Sequence, residues 1–79
     1  SFFESDLKEF LLKKDCRPLF REIEQAMKNA LQNKRHYQAS QLFPVLVHYE
    51  KNIFDEYKDT FASLIHLDNR ITYNIDKLQ

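Results

Sequence analysis

The sequence predicts an all-α fold: a small antiparallel helical bundle of three to four helices, closed by a long C-terminal helix with a heptad seam. Three observations carry this reading. Glycine is absent, apolar residues recur at helical spacing along nearly the whole chain, and two prolines and short polar stretches supply the only breaks. Glycine is the residue that tight turns of positive φ, bulges and phosphate-cradling loops depend on. Its absence leaves helices joined by short polar links.

The first helix is expected over residues 2–14. Ser1 and Glu4 have the Ser-x-x-Glu spacing of a capping box, in which each side chain satisfies a free backbone N–H at the helix start. Phe3, Leu7, Phe10 and Leu11 fall on one stripe, and Lys13 and Lys14 suit the negative end of the helix dipole. The stretch Asp15, Cys16, Arg17, Pro18 is the first break. Pro18 fits the opening turn of a second helix, over 18–33, because no intrahelical N–H bond is lost there. Leu19, Phe20, Ile23, Met27, Ala30 and Leu31 line its inner face, opposite Arg21, Glu22, Glu24 and Lys28.

Residues 33–36 form a polar turn of the length that joins antiparallel helices. A short helix over 37–43 follows. Pro44 is expected to kink it or end it, with Ser40 as a candidate cap for a fresh start. From Val45 no breaker occurs, so a single helix is expected over 45–78. Along it Val47, Glu50, Phe54, Tyr57, Phe61, Leu64, Asp68, Ile71, Ile75 and Leu78 alternate by three and four. That is an a/d seam with polar exceptions at Glu50 and Asp68. The apolar face is wide as far as Leu67 and narrow beyond it. A wide stripe suits burial in a bundle and a narrow one a coiled-coil seam, so residues past Leu67 are expected to pair with another chain.

Seventy-nine residues amount to one small domain, 1–79, with a marginal core. The chain begins Ser-Phe-Phe without Met, which suggests a fragment of a longer protein. Small scaffolds often add a disulfide, a metal or a partner chain. The single cysteine, Cys16, excludes an internal disulfide and suits a reducing, cytoplasmic setting. No metal-ligand spacing or cofactor motif is present, and no small-molecule substrate is implied. A partner helix is the remaining source of support. Twelve Lys+Arg balance twelve Asp+Glu, which argues against a dedicated nucleic-acid or membrane-surface binder. No apolar run approaches the roughly 18–20 residues of a membrane span.

Candidate chemistry is sparse. His36, His48 and His66 stand apart in sequence. His48 and Glu50, two residues apart on a helix, point in different directions. Cys16 lies before a helix start but has no neighbouring base to activate it. An enzyme is the least favoured class. Lys34 and Arg35, beside His36 and Tyr37 and with Arg17 and Arg21, could form a basic patch for phosphates; a solvated turn accounts for them more simply. Phe3, Phe10, Phe20, Phe54, Tyr57 and Phe61 are expected in the core. Phe2, Tyr49 and Tyr73 fall off the stripes and are candidate interface anchors. Asp68 either fixes register in the seam or marks the end of the bundle.

The segment Ile53, Phe54, Asp55, Glu56, Tyr57, Lys58, Asp59, Thr60, Phe61, continued by Leu64, Leu67, Asp68, Ile71, Ile75 and Leu78, resembles the N-terminal helical regions of multisubunit vesicle-tethering proteins. These are the exocyst, the conserved oligomeric Golgi complex and their relatives. The likeness covers the last third of the chain. It implies a cytoplasmic, non-enzymatic scaffold subunit that binds sister helices through Ile71, Ile75 and Leu78, with Asp68 and Tyr73 beside them.

The residues therefore predict a protein–protein interaction module. Two other classes compete: an autonomous bundle that sequesters a target, as bacterial immunity proteins do, and a helical nucleic-acid binder using Arg17, Arg21, Lys34 and Arg35. The tail separates the first two. A scaffold leaves residues 71–78 for another chain, whereas an autonomous bundle folds them onto itself.

Overall fold

A computed structural model describes residues 2–78, with side chains described for residues 7–76 and 78. The elements are α1 (Phe2–Leu12), a 3-10 turn (Arg17–Leu19), α2 (Phe20–Gln32), α3 (His36–Tyr49), α4 (Asn52–Leu64), a second 3-10 turn (Asn69–Ile71), α5 (Thr72–Ile75) and a last 3-10 turn (Asp76–Leu78). No strand occurs among the described residues. The all-α bundle expected from the sequence is therefore present. The proposed capping pair begins at Ser1, which lies outside the described residues, as do the side chains of Phe2, Phe3 and Glu4.

The fold is organised around α3. Ala39, Ser40, Gln41, Phe43, Pro44, Val45 and Leu46 are all buried, covering every side of the helix. A helix apolar all round belongs at the centre of a structure, and α3 indeed packs against α1, α2, α4 and α5. This corrects the expected break at Pro44. The proline removes one backbone bond inside α3, yet the helix runs through it, because neighbours on all sides hold the segment helical. Ser40 is likewise an interior, fully buried residue and not a cap.

The expected single helix over 45–78 is also corrected. Rising about 1.5 Å per residue, it would extend roughly 51 Å. The longest dimension of the molecule is 33 Å. The chain breaks at Glu50, whose backbone is extended, and again between Leu64 and Asn69. Both polar exceptions to the seam, Glu50 and Asp68, fall at these breaks. Asp68 is the N-cap of the second 3-10 turn, with its carboxylate accepting the Arg70 backbone N–H. The three-four spacing is real, but its apolar positions are divided among α3, α4, α5 and the 3-10 turns on either side of α5, and all of them face the common core.

The core joins Phe20, Ile23 and Met27 of α2, the α3 residues, Ile53 and Phe61 of α4, and Ile71 and Ile75. At its centre the Phe43 ring stacks on Phe61, with centroids 4.6 Å apart, and on Phe54 at 6.1 Å, and meets the edge of Tyr57 at 6.5 Å. Such pairs add about 0.5–1.5 kcal/mol each beyond their buried area. Phe20 and Phe61 are buried as expected and Phe54 and Tyr57 are half-buried. Phe10 departs from expectation at 56% exposed, with the Lys14 ammonium 4.7 Å from its ring centroid. The α1 stripe is thus only partly covered, Leu11 packing inward while Leu7 and Phe10 face out.

The α2–α3 turn shows how the chain manages without glycine. Lys34 has φ of 60°, in the left-handed region. The Arg35 N–H reaches the Ala30 carbonyl at 2.8 Å and the Lys34 N–H reaches that of Leu31 at 3.2 Å. This is the pairing of a Schellman cap. A lysine holds the position glycine usually takes.

Candidate protein-docking groove

Three sets of polar contacts decide which surface the bundle presents. Tyr49, at the end of α3, ties down the loop between α1 and α2. Its hydroxyl accepts the Cys16 backbone N–H at 2.7 Å and donates to the Lys14 carbonyl at 3.0 Å. The Gln41 carboxamide oxygen accepts the Lys8 backbone N–H at 3.1 Å, fixing α1 on α3. The Asn74 amide donates to the Ser40 hydroxyl at 2.9 Å, and that hydroxyl donates to the Tyr37 carbonyl at 2.7 Å, fixing α5 on the same helix. Between α1 and α5, over the C-terminal half of α3, an open groove of about 490 Å³ remains. Pro44, Val47, Leu12, Leu78 and Tyr73 give it apolar surface, and Lys8, His48 and Lys51 give it its ionisable groups. Tyr73 is 75% exposed and Leu12 40% exposed, so two large apolar side chains stand in water on its walls.

The residues expected to bind a partner divide sharply. Ile71 and Ile75 are 0% and 3% exposed inside the domain's own core, and Leu78 packs against that core while lining the groove. They do not form a free seam. The cause is the break around Asp68, which turns the tail back onto α3. The Asp68 carboxylate chelates the Arg70 guanidinium, with 2.7 Å between Arg70 Nη2 and Oδ2. Those hydrogen bonds hold the Asp68 carboxyl below the usual carboxylate range, against a smaller opposing effect of desolvation. The Arg70 guanidinium also lies 4.2 Å from the Tyr37 ring centroid, within reach of a cation–π contact. Of the expected contact residues, Tyr73 is the largely exposed one.

The expected basic patch is not continuous. Arg17 and Arg21 stand at the start of α2, and Lys34 and Arg35 just beyond its end. The length of that helix puts the two pairs about 20 Å apart. Arg17 is chelated by Asp15, with Arg17 Nη2 2.7 Å from Oδ2, and Arg21 pairs with Glu24 at 3.1 Å. The Arg17 hydrogen bonds pull the Asp15 carboxyl pKa down to about 2. Lys34 and Arg35 instead line a separate hollow with His36, Tyr37, Asp68 and Arg70.

His48 and His66 are exposed and His36 half-buried, well apart along the chain. Cys16 is buried, its thiol donating to the Leu11 carbonyl at 3.5 Å. Among the described residues, no three His, Cys, Asp or Glu side chains form a group that could hold a metal ion. No helix among them is long and apolar enough to cross a membrane.

Most of the groove lies beyond what the sequence pattern reveals. Tyr73 and Leu78, both expected from the sequence to meet a partner, do line it, and Leu12, an apolar residue off the Leu7–Leu11 stripe, is the further signal. Tyr49, off the stripes in sequence, is an internal tie and not an exposed anchor. No protein-family model, curated protein or solved structure matches the chain.

Proposed function

We propose that this chain is a non-enzymatic protein-interaction module that binds another protein chain in the groove between α1, α3 and α5. One observation carries the reading: Tyr73 and Leu12 are held in water on the walls of a concave apolar surface whose sides are fixed by core hydrogen bonds. An exposed apolar concavity rimmed by charge is the usual mark of an interaction site, and tyrosine is a favoured anchor because it offers large area at low entropy cost.

Of the two settings for such a module, the burial of Ile71 and Ile75 favours an autonomous bundle that captures a target over one strand of a coiled coil. The likeness to tethering subunits would place the module in the cytoplasm as part of a multisubunit scaffold. In that setting sister subunits would dock in the groove, since Ile71 and Ile75 are already engaged.

The test is site-specific photocrosslinking in the producing cell, with the crosslinking residue at position 73 or, as a control, at exposed position 62 on α4. A discrete adduct at 73 that is absent at 62, and lost when Leu12→Asp is added, supports the groove. Equal labelling from both positions, or an adduct indifferent to Leu12→Asp, refutes it.

A further inference from the structure

We infer that the occupant of the groove is an acidic amphipathic α-helix, a deduction that rests on the protein-interaction reading above. Two features of the groove select it. The first is the backbone. The lining comes from α1, α3, α5 and the residues flanking them, so almost all of its N–H and C=O groups are spent within helices. No sheet edge is on offer among the described residues, so an extended segment laid here would leave its own backbone unpaired against apolar surface. A helix arrives with its backbone bonds made and can lay an apolar stripe on Leu12, Val47, Tyr73 and Leu78.

The second feature is charge. Every ionisable side chain described in the groove lining, the Tyr73 phenol aside, is a lysine or a histidine: Lys8 on the α1 wall, His48 on the floor and Lys51 just beyond α3. No described carboxylate lines it, in a chain whose acidic and basic residues are equal in number. Among the described side chains, Glu9, Glu50 and Asp76, acidic neighbours of the lining in sequence, lie outside it. A helix with Glu or Asp flanking its apolar stripe meets Lys8 from the α1 wall and Lys51 from beyond α3. A basic helix meets like charge from both, which costs affinity and slows encounter.

The experiment uses two labelled designed helices of roughly eighteen residues, long enough to be helical. Both carry leucine at i, i+3, i+4 and i+7, one flanked by glutamate and the other by lysine. Fluorescence anisotropy gives affinity, and amide shifts at Leu12, Val47 and Tyr73 report location. The acidic helix is expected to bind at least about tenfold tighter than the basic one, with shifts at those three residues. Lys8→Glu with Lys51→Glu, neither of them a buried position, is expected to reverse the preference. Equal affinity for the two helices at the groove overturns the inferred charge while leaving the groove as a docking surface. Shifts confined to other faces overturn both. Displacement of the acidic helix by a single-stranded oligonucleotide at equal concentration also overturns the inference, because the groove would then recognise anions of any kind.

Discussion

Replacing Ile71 by alanine distinguishes a tail that belongs to this domain from a tail that awaits another chain. Ile71 is fully buried at the end of the second 3-10 turn, which packs against α3. Full burial of an isoleucine side chain contributes about 1.5–3 kcal/mol by area alone. The cavity left by the shorter side chain adds to this, so Ile→Ala at such a site costs about 2–5 kcal/mol. A domain of this length has roughly 4–12 kcal/mol in total. A loss near ~3 kcal/mol would thus remove a quarter or more of the stability and lower Tm by about 12–24 °C. The assay is urea and thermal unfolding followed by circular dichroism, beside Tyr73→Ala as the control. Tyr73 is 75% exposed. Its replacement should therefore stay within about 0.5 kcal/mol. A change below about 0.5 kcal/mol for Ile71→Ala, together with concentration-dependent association of the parent in sedimentation equilibrium, would refute the packing reasoning. That outcome would restore the coiled-coil role for Ile71, Ile75 and Leu78.

Three further outcomes follow from single contacts. Tyr49→Phe removes both hydrogen bonds that tie the α1–α2 loop to α3. It should destabilise by about 1 to about 2 kcal/mol in urea unfolding, with faster amide exchange at Cys16; unchanged exchange there would show that the tie is idle. Lys34→Gly relieves a side chain held at positive φ. It should raise stability by about 1 kcal/mol, a gain that Lys34→Ala should not reproduce. Asp15 and Asp68 both have depressed carboxyl pKa values, so their ion pairs with Arg17 and Arg70 are fully formed above the ordinary value of 3.8 and are lost as pH falls through the lowered ones. Carboxyl titration by NMR should give a midpoint of about 2 for Asp15 and one below 3.8 for Asp68, and midpoints at or above 3.8 would contradict the chelating geometry.

Helical character is legible residue by residue, since periodicity and the missing glycines report local preference directly. The second helix, with its 3-10 lead-in, is placed within a residue at each end, because Pro18 and the polar stretch at 33–36 punctuate it. Helix continuity is not legible. Pro44 is a strong local breaker, but burial around all of α3 outweighs it, and that burial exists only once the other helices have packed. The converse error arises after Val45, where nothing local forbids a helix and yet the chain breaks twice. Glu50 and Asp68 are the available signal, being carboxylates at positions the seam reserves for apolar side chains. A heptad pattern read along one strand cannot tell one long helix from successive short helices facing a common centre. Both satisfy a three-four alternation, and only the interruptions differ. Most of the groove is invisible for a related reason: Lys8, Leu12, Lys51 and Tyr73 come from separate parts of the chain and meet only in three dimensions.

Ser40 and Gln41 explain how a domain this small can keep a binding surface in shape. They are consecutive on α3 and essentially fully buried, in a helix otherwise packed with apolar side chains. Successive residues point about 100° apart around a helix, so the two reach different neighbours. Gln41 holds α1 through the Lys8 backbone and Ser40 holds α5 through Asn74, and Lys8 and Asn74 both line the groove. Apolar packing tolerates sliding, because many rotamers fill similar space; a buried hydrogen bond has one good geometry and fixes register. The Gln41 amide nitrogen has no hydrogen-bond partner among the described residues. That is a burden on stability of about 1–3 kcal/mol that an apolar side chain would avoid. A glutamine at this position is therefore poorly explained by stability and well explained by the wall its oxygen holds. A groove whose two sides are pinned to one rigid helix needs little ordering when a partner arrives, so more of the contact energy appears as affinity.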